Sequence, residues 1–298
     1  MKQKKILLLG GNGYIGCRLY EHFLSENREV VNVDICVYDK VFEETVVENY
    51  KNLSKEFISQ FSHVILLAGH SSVSMCGSLS PCFQNNVVNF IELIEKLQDE
   101  QVLIYSSTAA VYGSNPNLVD ESYPLTEAIN FYDYTKICNE SIMKLYEKKI
   151  IGLRFGSVGG FSKNFRKENL MNSISVSASQ QNKIVISNPD KYRSVLGIND
   201  LCRAFSKIID SPVKERIYNL TSINAKIIEF GQALQKKTGC ELVVDDTFVT
   251  NYSFNCDNSL FKRDYDFEFI DTIETIYQEI VENFEKIQIN VKRESITI

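Results

Sequence analysis

Ile6-Leu-Leu-Leu-Gly-Gly-Asn-Gly-Tyr-Ile-Gly16 reads as a strand, a glycine-rich turn and the start of a helix. Four consecutive apolar residues suit a strand covered on both faces, as in a parallel sheet. Glycine lets the backbone take positive φ and approach a ligand closely. The free N–H groups and dipole of the following helix, read as Tyr14–Ser25, favour an anion there. Two registers coexist, Gly11-Gly13-Gly16 and Gly10-Gly13-Gly16. Together they place Gly10, Gly11, Gly13, Tyr14, Ile15 and Gly16 around a dinucleotide pyrophosphate. A second strand, Val30–Asp34, ends on an acid 18 residues beyond Gly16. Its carboxylate suits ribose hydroxyls and repels a 2′-phosphate, and Ile35 and Cys36 supply no arginine to offset that. NAD is therefore expected over NADP.

Working outward, strands and helices alternate through the first half. Strands are expected at Val64–Ala68, Val102–Ser106 and Ile150–Arg154, and helices at Pro81–Leu97 and Tyr132–Lys148. This order predicts an α/β fold, a Rossmann-type doubly wound parallel sheet. The second half is less regular, with helices expected at Phe165–Gln180, Asn199–Ile209, Ile227–Thr238 and Thr272–Phe284. The expected division is residues 1–160 for an NAD-binding domain, with part of 190–215 packing on it, and 161–298 for a smaller C-terminal α/β substrate lobe. No Pro/Gly-rich linker or repeat separates the halves.

Composition bounds the partners. The 298 residues are 44% hydrophobic and 23% charged, near the globular average. Lys plus Arg number 32 against 38 for Asp plus Glu, a net charge of −6 that disfavours nucleic acid. The apolar run after Met1-Lys-Gln-Lys-Lys5 is too short for a signal or membrane segment. Eight scattered cysteines without a CxxC pair offer no disulfide framework and no metal site, and a reducing cytoplasm is expected.

Tyr132-Asp-Tyr-Thr-Lys136 places a Tyr and a Lys four apart, on one helix face. An ammonium there can stabilise a phenolate and bring its pKa toward neutral. The spacing is common by chance, and its position gives it weight. Upstream, Tyr105-Ser-Ser-Thr-Ala-Ala-Val-Tyr-Gly113 follows a strand, and hydroxyls at a strand's C-terminal end point into the crevice of an open parallel sheet.

In combination these segments resemble the extended short-chain dehydrogenase/reductases, in particular the NAD-dependent epimerase/dehydratase group acting on nucleotide sugars. The resemblance runs from about residue 5 to residue 285. Leu66-Leu-Ala-Gly69 is similar to the turn beside the cofactor, which implicates Leu67, Ala68 and Gly69; Asn85-Asn-Val87 matches a helix whose Asn, here Asn86, supports it. The resemblance implies that Tyr132 is the acid/base, that Lys136 holds the ribose and tunes Tyr132, and that Thr108 positions the substrate, with Ser106 beside the cofactor. Arg193 and Asn169 resemble residues near the substrate phosphates. A nucleotide-sugar substrate and a homodimer through Pro81–Leu97 and Tyr132–Lys148 are further implications.

Departures narrow the reaction. Ala109 and Ala110 follow Thr108 where 4,6-dehydratases carry an Asp-Glu pair, and Phe155-Gly-Ser-Val158 lacks the Asn of many 4-epimerases. Val243–Asn258 contains no Arg as second phosphate ligand, and Asn52 stands about where an acid normally approaches adenine. Hydride transfer at a sugar carbon, expected at C4, leading to epimerisation is the expected chemistry. The alternatives are a 4-dehydrogenase or ketoreductase, then a 4,6-dehydratase, then a non-enzymatic dinucleotide sensor.

Overall fold

The computed structural model describes residues 4–289 apart from 38, 39, 126, 215, 246, 248–251 and 287. The chain forms β1 (Ile6–Leu9), α1 (Tyr14–Ser25), β2 (Val30–Asp34), β3 (Val46–Val47), α2 (Lys55–Ile58), β4 (His63–Leu66), α3 (Leu79–Phe83), α4 (Asn89–Lys96), β5 (Val102–Thr108), β6 (Ser114–Val119), α5 (Phe131–Met143) and β7 (Lys149–Phe155). It continues with β8 (Ser157–Gly159), β9 (Asn164–Phe165), α6 (Leu170–Gln181), β10 (Lys183–Ile186), β11 (Tyr192–Gly197), α7 (Ile198–Asp210), β12 (Ile217–Leu220), β13 (Ile223–Lys226), α8 (Ile227–Thr238), β14 (Glu241–Val244), β15 (Ser253–Cys256), α9 (Ser259–Tyr265) and α10 (Ile273–Glu282), then β16 (Gln288–Ile289).

Seven strands build one sheet in the order β12-β7-β5-β4-β1-β2-β3, every pair parallel. Alternation along β1 explains its unbroken apolar run. Ile6 and Leu8 join the core with Tyr20, Phe23 and Phe205 on one face, while Leu7 and Leu9 join Phe90, Leu93 and Tyr105 on the other. All four are fully buried, each contributing about 1.5 to 3 kcal/mol of transfer free energy. Strand order reverses between β1 and β4, and the crevice at such a reversal is where open α/β sheets bind ligands.

The remaining strands form smaller sheets beside the C-terminal ends of this one. β11 pairs with β13 antiparallel and β8 parallel, β10 pairs with β14, and β6 pairs with β15. Helices α6, α8 and α10 pack on one another there. The chain crosses back twice. Helix α7 lies on α1, where Arg18 meets Asn199 at 2.7 Å and Arg28 grips Asp210 at 2.9 and 2.7 Å. Strand β12 then becomes an edge of the main sheet.

Three local expectations are corrected. The helix read as Pro81–Leu97 is α3, a π turn over Gln84–Val88, and α4. Pro81 sits in the first turn, where its missing N–H costs nothing, and buried Asn86 in the π turn and Asn89 just after it interrupt the apolar face. The helix read to Lys148 stops at Met143, because the chain must turn before β7 begins at Lys149. The cysteines are not all free: Cys76 and Cys82 form a disulfide. His70 beside them completes the one metal-type grouping among the described residues, with both sulfurs engaged in that bond. No helix among the described residues is long and apolar enough to cross a membrane.

Candidate active site

The glycine turn joins β1 to α1 against the turn that follows β4. Gly10 has φ +94°, and a Cβ there would meet the Ala68 nitrogen at 2.6 Å. A side chain at Gly13 would have open space, its nearest neighbour being the Gly10 carbonyl at 3.4 Å. Gly16 packs on Gly10, whereas a side chain at Gly11 would run into Asn32. The Gly10-Gly13-Gly16 register therefore faces the crevice, and Gly11 is required by packing rather than brought to it. Buried Asn12, which the sequence reading passed over, organises this turn. Its side chain donates to Thr45 Oγ1 at 2.9 Å and accepts from the Val41 N–H at 2.8 Å. Its own N–H donates to Asp34 Oδ2 at 2.9 Å, while the Cys36 N–H meets Asp34 Oδ1 at 2.6 Å. Burial raises the Asp34 pKa and those two donors oppose the rise.

Two adjoining cavities open at this turn, of about 130 and 530 Å³. Gly10, Gly13, Tyr14, Leu67, Ala68 and Gly69 border both. The smaller adds Asp34, Glu48 and Tyr50. Here an expectation is corrected: Asn52 is exposed and holds Glu48 Oε1 at 2.8 Å, so an acid does line this wall. Its signal was the edge strand β3, whose Val47 pairs with Asp34. An open glycine turn, a carboxylate aimed across it and a crevice between β1 and β4 fit a dinucleotide with its pyrophosphate at the turn.

The larger cavity adds Ile15, Gly16, Ser106, Thr108, Tyr132 and Lys136 from the main-sheet side. Asn130 caps α5, its Oδ1 accepting the Asp133 N–H at 3.0 Å, which presents Tyr132 and Lys136 one turn apart toward the end of β5. Lys136 Nζ donates to the Ser106 carbonyl at 2.8 Å and lies 5.7 Å from the Tyr132 ring centre. The Thr108 hydroxyl and the Tyr132 phenol border the same cavity, and Thr108 lowers the phenol's pKa. Burial pushes that phenol up to about 12, against the pull of Thr108 and of Arg166. It also pulls Lys136 down to about 8, with Glu140 opposing. Desolvation thus outweighs the expected shift of Tyr132 toward neutral. Tyr134 is 44% exposed and stacks on Phe83 at 6.3 Å, outside the cavity.

Opposite stand Asn169, Arg193, Tyr252 and Phe254. Asn169 Nδ2 donates to the Val158 carbonyl at 2.9 Å. Arg193 donates to the Tyr192 and Tyr252 carbonyls at 3.0 and 2.5 Å and lies over Phe254, and burial lowers its pKa to about 10. Tyr252, which no sequence signal marked, donates to Asp133 Oδ2 at 2.6 Å beside Tyr132. Asn86 borders neither large cavity. It holds His70 through N–H and carbonyl at 2.8 and 3.0 Å and reaches Thr135 of α5 at 3.1 Å. It therefore ties the turn after β4 to α5. Arg166, also unmarked, borders both cavities.

Fold and site define a dinucleotide-binding α/β protein of the Rossmann class. The family described as NAD dependent epimerase/dehydratase matches residues 6–221, and the chain belongs to it. NAD is its cofactor. Protein CapI of Staphylococcus aureus is 26% identical over 282 residues, covering 80% of this chain and 84% of that one. A UDP-glucose 4-epimerase of Yersinia enterocolitica is 28% identical over 288 residues, again covering 80% and 84%. Among solved structures, the UDP-glucuronic acid 4-epimerase of Bacillus cereus, in complex with UDP-glucuronic acid and NAD, superposes with a TM-score of 0.82 at 18% identity, over 95% of this chain and 99% of that one.

Proposed function

We propose that this protein is a nucleotide-sugar 4-epimerase. The observation that carries the reading is the meeting of Thr108, Tyr132 and Lys136 in a cavity whose adjoining wall, at Ala110, offers only a methyl group. Dehydration across C5–C6 needs a base for the C5 proton and an acid for the departing hydroxyl. Neither Ala109 nor Ala110 can serve. Nearby acids are engaged elsewhere: Glu121 accepts the Asn219 N–H at 2.7 Å, and Asp120 accepts from Ser122 at 2.9 and 2.6 Å. The carboxylate at the cavity rim, Glu168, pairs with Arg166 at 2.8 Å.

Bound NAD supplies the hydride acceptor and, for an epimerase, the donor that returns it. Thr108 and Tyr132 hold the sugar hydroxyl. Tyr132 takes its proton as the carbonyl forms and gives it back when the carbonyl is reduced from the other face, so no net proton is exchanged. Lys136 supports the phenolate and orients the ribose. Gly10, Gly13, Tyr14, Ile15 and Gly16 cradle the pyrophosphate, Asp34 takes the adenosine ribose, and Asn169 and Arg193 hold the substrate phosphates. The Yersinia relative's name supports epimerisation at this coarse likeness. We assign the enzyme to the cytoplasm, where NAD and nucleotide sugars are supplied, and expect a homodimer through the Pro81–Leu97 segment of α3 and α4 and through α5.

The test incubates the protein with NAD and UDP-, GDP-, CDP- and dTDP-sugars, reading products by mass spectrometry and NMR. Unchanged mass with inverted C4 is expected. A product lighter by two hydrogens would indicate a dehydrogenase, and one lighter by water with a C6 methyl would overturn the reading.

A further inference from the structure

Arg166 follows β9, and among the described Lys and Arg side chains at the two cavities it alone borders both. Its Nη1 reaches across to the Ser71 carbonyl and hydroxyl at 3.4 and 3.3 Å, on the turn after β4. Its Nε meets Glu168 at 2.8 Å, and that carboxylate is 69% exposed. The positive charge is felt on either side of the seam, lowering the pKa of Tyr14 beside the glycine turn and of Tyr132 at the end of β5. Lys136 and Arg193 differ from it in making shorter contacts to backbone carbonyls, at 2.8 Å and at 3.0 and 2.5 Å.

A half-buried guanidinium between two ligand cavities, held by long contacts and a solvent-exposed acid, is poorly matched to its present partners. Exposed ion pairs are weak. The planar fork of an arginine matches two phosphate oxygens far better, and such charge-assisted pairs are among the stronger hydrogen bonds. The glycine turn facing it supplies backbone donors and helix dipole from the other side. We propose that Arg166 binds a diphosphate across this seam, that of the dinucleotide, with the diphosphate of the sugar nucleotide as a second source of the same chemistry. The second source rests on the nucleotide-sugar reading above; the first does not.

The test compares Arg166→Gln and Arg166→Lys with the wild type, after circular dichroism confirms the fold. Three probes are used: NADH by fluorescence, adenosine as a ligand without a diphosphate, and UDP by calorimetry on NAD-loaded protein. Arg166→Gln should weaken NADH binding by about 10- to 100-fold, the effect of losing a hydrogen bond to a charged group. Adenosine affinity should hold, and Arg166→Lys should recover part of the loss. Weakened UDP with unchanged NADH would support the substrate as the source. Unchanged affinity for both, or equal loss for NADH and adenosine, would overturn the proposal and leave Arg166 as a partner of Glu168. Failure of the wild type to bind UDP would count against the nucleotide-sugar reading alone, since the NADH arm still decides Arg166. Should Arg166→Gln not fold, Glu168→Gln decides. Freeing Arg166 from its competing acid should tighten NADH by about threefold, and unchanged or weaker binding would overturn the proposal.

Discussion

Tyr132 carries the tension of the site. Half-buried, with its phenol desolvated and pushed up to about 12, it is protonated at neutral pH, whereas taking a hydroxyl proton requires the phenolate. The Thr108 hydroxyl and the Arg166 charge lower its pKa, and the Asp133 carboxylate raises it. Losing the Thr108 hydroxyl must therefore raise the pKa and leave less phenolate at any given pH. Thr108→Val should cut turnover at neutral pH by about 10- to 100-fold and move the rising limb of the pH–rate profile to higher pH. Thr108→Ser should restore both, and an unmoved limb in Thr108→Val would refute this coupling. Tyr132→Phe should retain NAD binding and fold while losing turnover by orders of magnitude. Equal loss in Tyr134→Phe, at a site outside the cavity, would contradict the assignment.

At the level of elements, α5 is held against β5 and β7 by a buried polar knot. Arg154 of β7 grips Glu140 of α5 at 2.9 and 2.6 Å, with both side chains almost wholly buried. Ser107 of β5 donates to the same carboxylate at 2.5 Å, and Arg154 also donates to the Tyr112 hydroxyl at 2.5 Å. Glu140 stands one turn beyond Lys136, so the knot sets how α5 presents Tyr132 and Lys136 to the cavity. Removing one partner strands a buried charge, and Arg154→Met should cost about 3–5 kcal/mol in chemical denaturation. Adding Glu140→Leu should recover much of it. A single-variant loss below about 1 kcal/mol would show the pair to be dispensable. No sequence signal marks this pairing, since Glu140 and Arg154 stand on separate elements. The elements themselves were legible: β1, α1, β2 and α8 fall where periodicity and glycine placement set them. Helix α3–α4 was read as one because the spacing of apolar residues does not register a π turn.

For the whole molecule, the apolar surface shared by α3 and α5 bears on assembly. Phe131 and Tyr134 of α5 and Leu79 of α3 are 42%, 44% and 39% exposed, and Phe83 stacks on Tyr134 at 6.3 Å. If the homodimer forms on this face, sedimentation equilibrium should give a dimer. Tyr134→Lys should then shift it toward monomer while NADH affinity holds. A monomeric wild type would remove the dimer from our reading.

Local pattern alone determined the glycine turn, the acid ending β2, the Tyr-x-x-x-Lys face and the parallel α/β sheet. Each is a short-range relation between neighbours in the chain or a periodicity of burial. Only the tertiary structure decided which glycine register faces the crevice, because Gly11 is constrained by Asn32 on the adjacent strand. It also placed Glu48 rather than Asn52 on the wall of the smaller cavity, joined Cys76 to Cys82, and brought Arg166 and Tyr252 to the cavity of Tyr132, 34 and 120 positions further along the chain. Those relations depend on distance in space, and desolvation, which sets the pKa of Tyr132 and Lys136, exists only once the chain has closed around them.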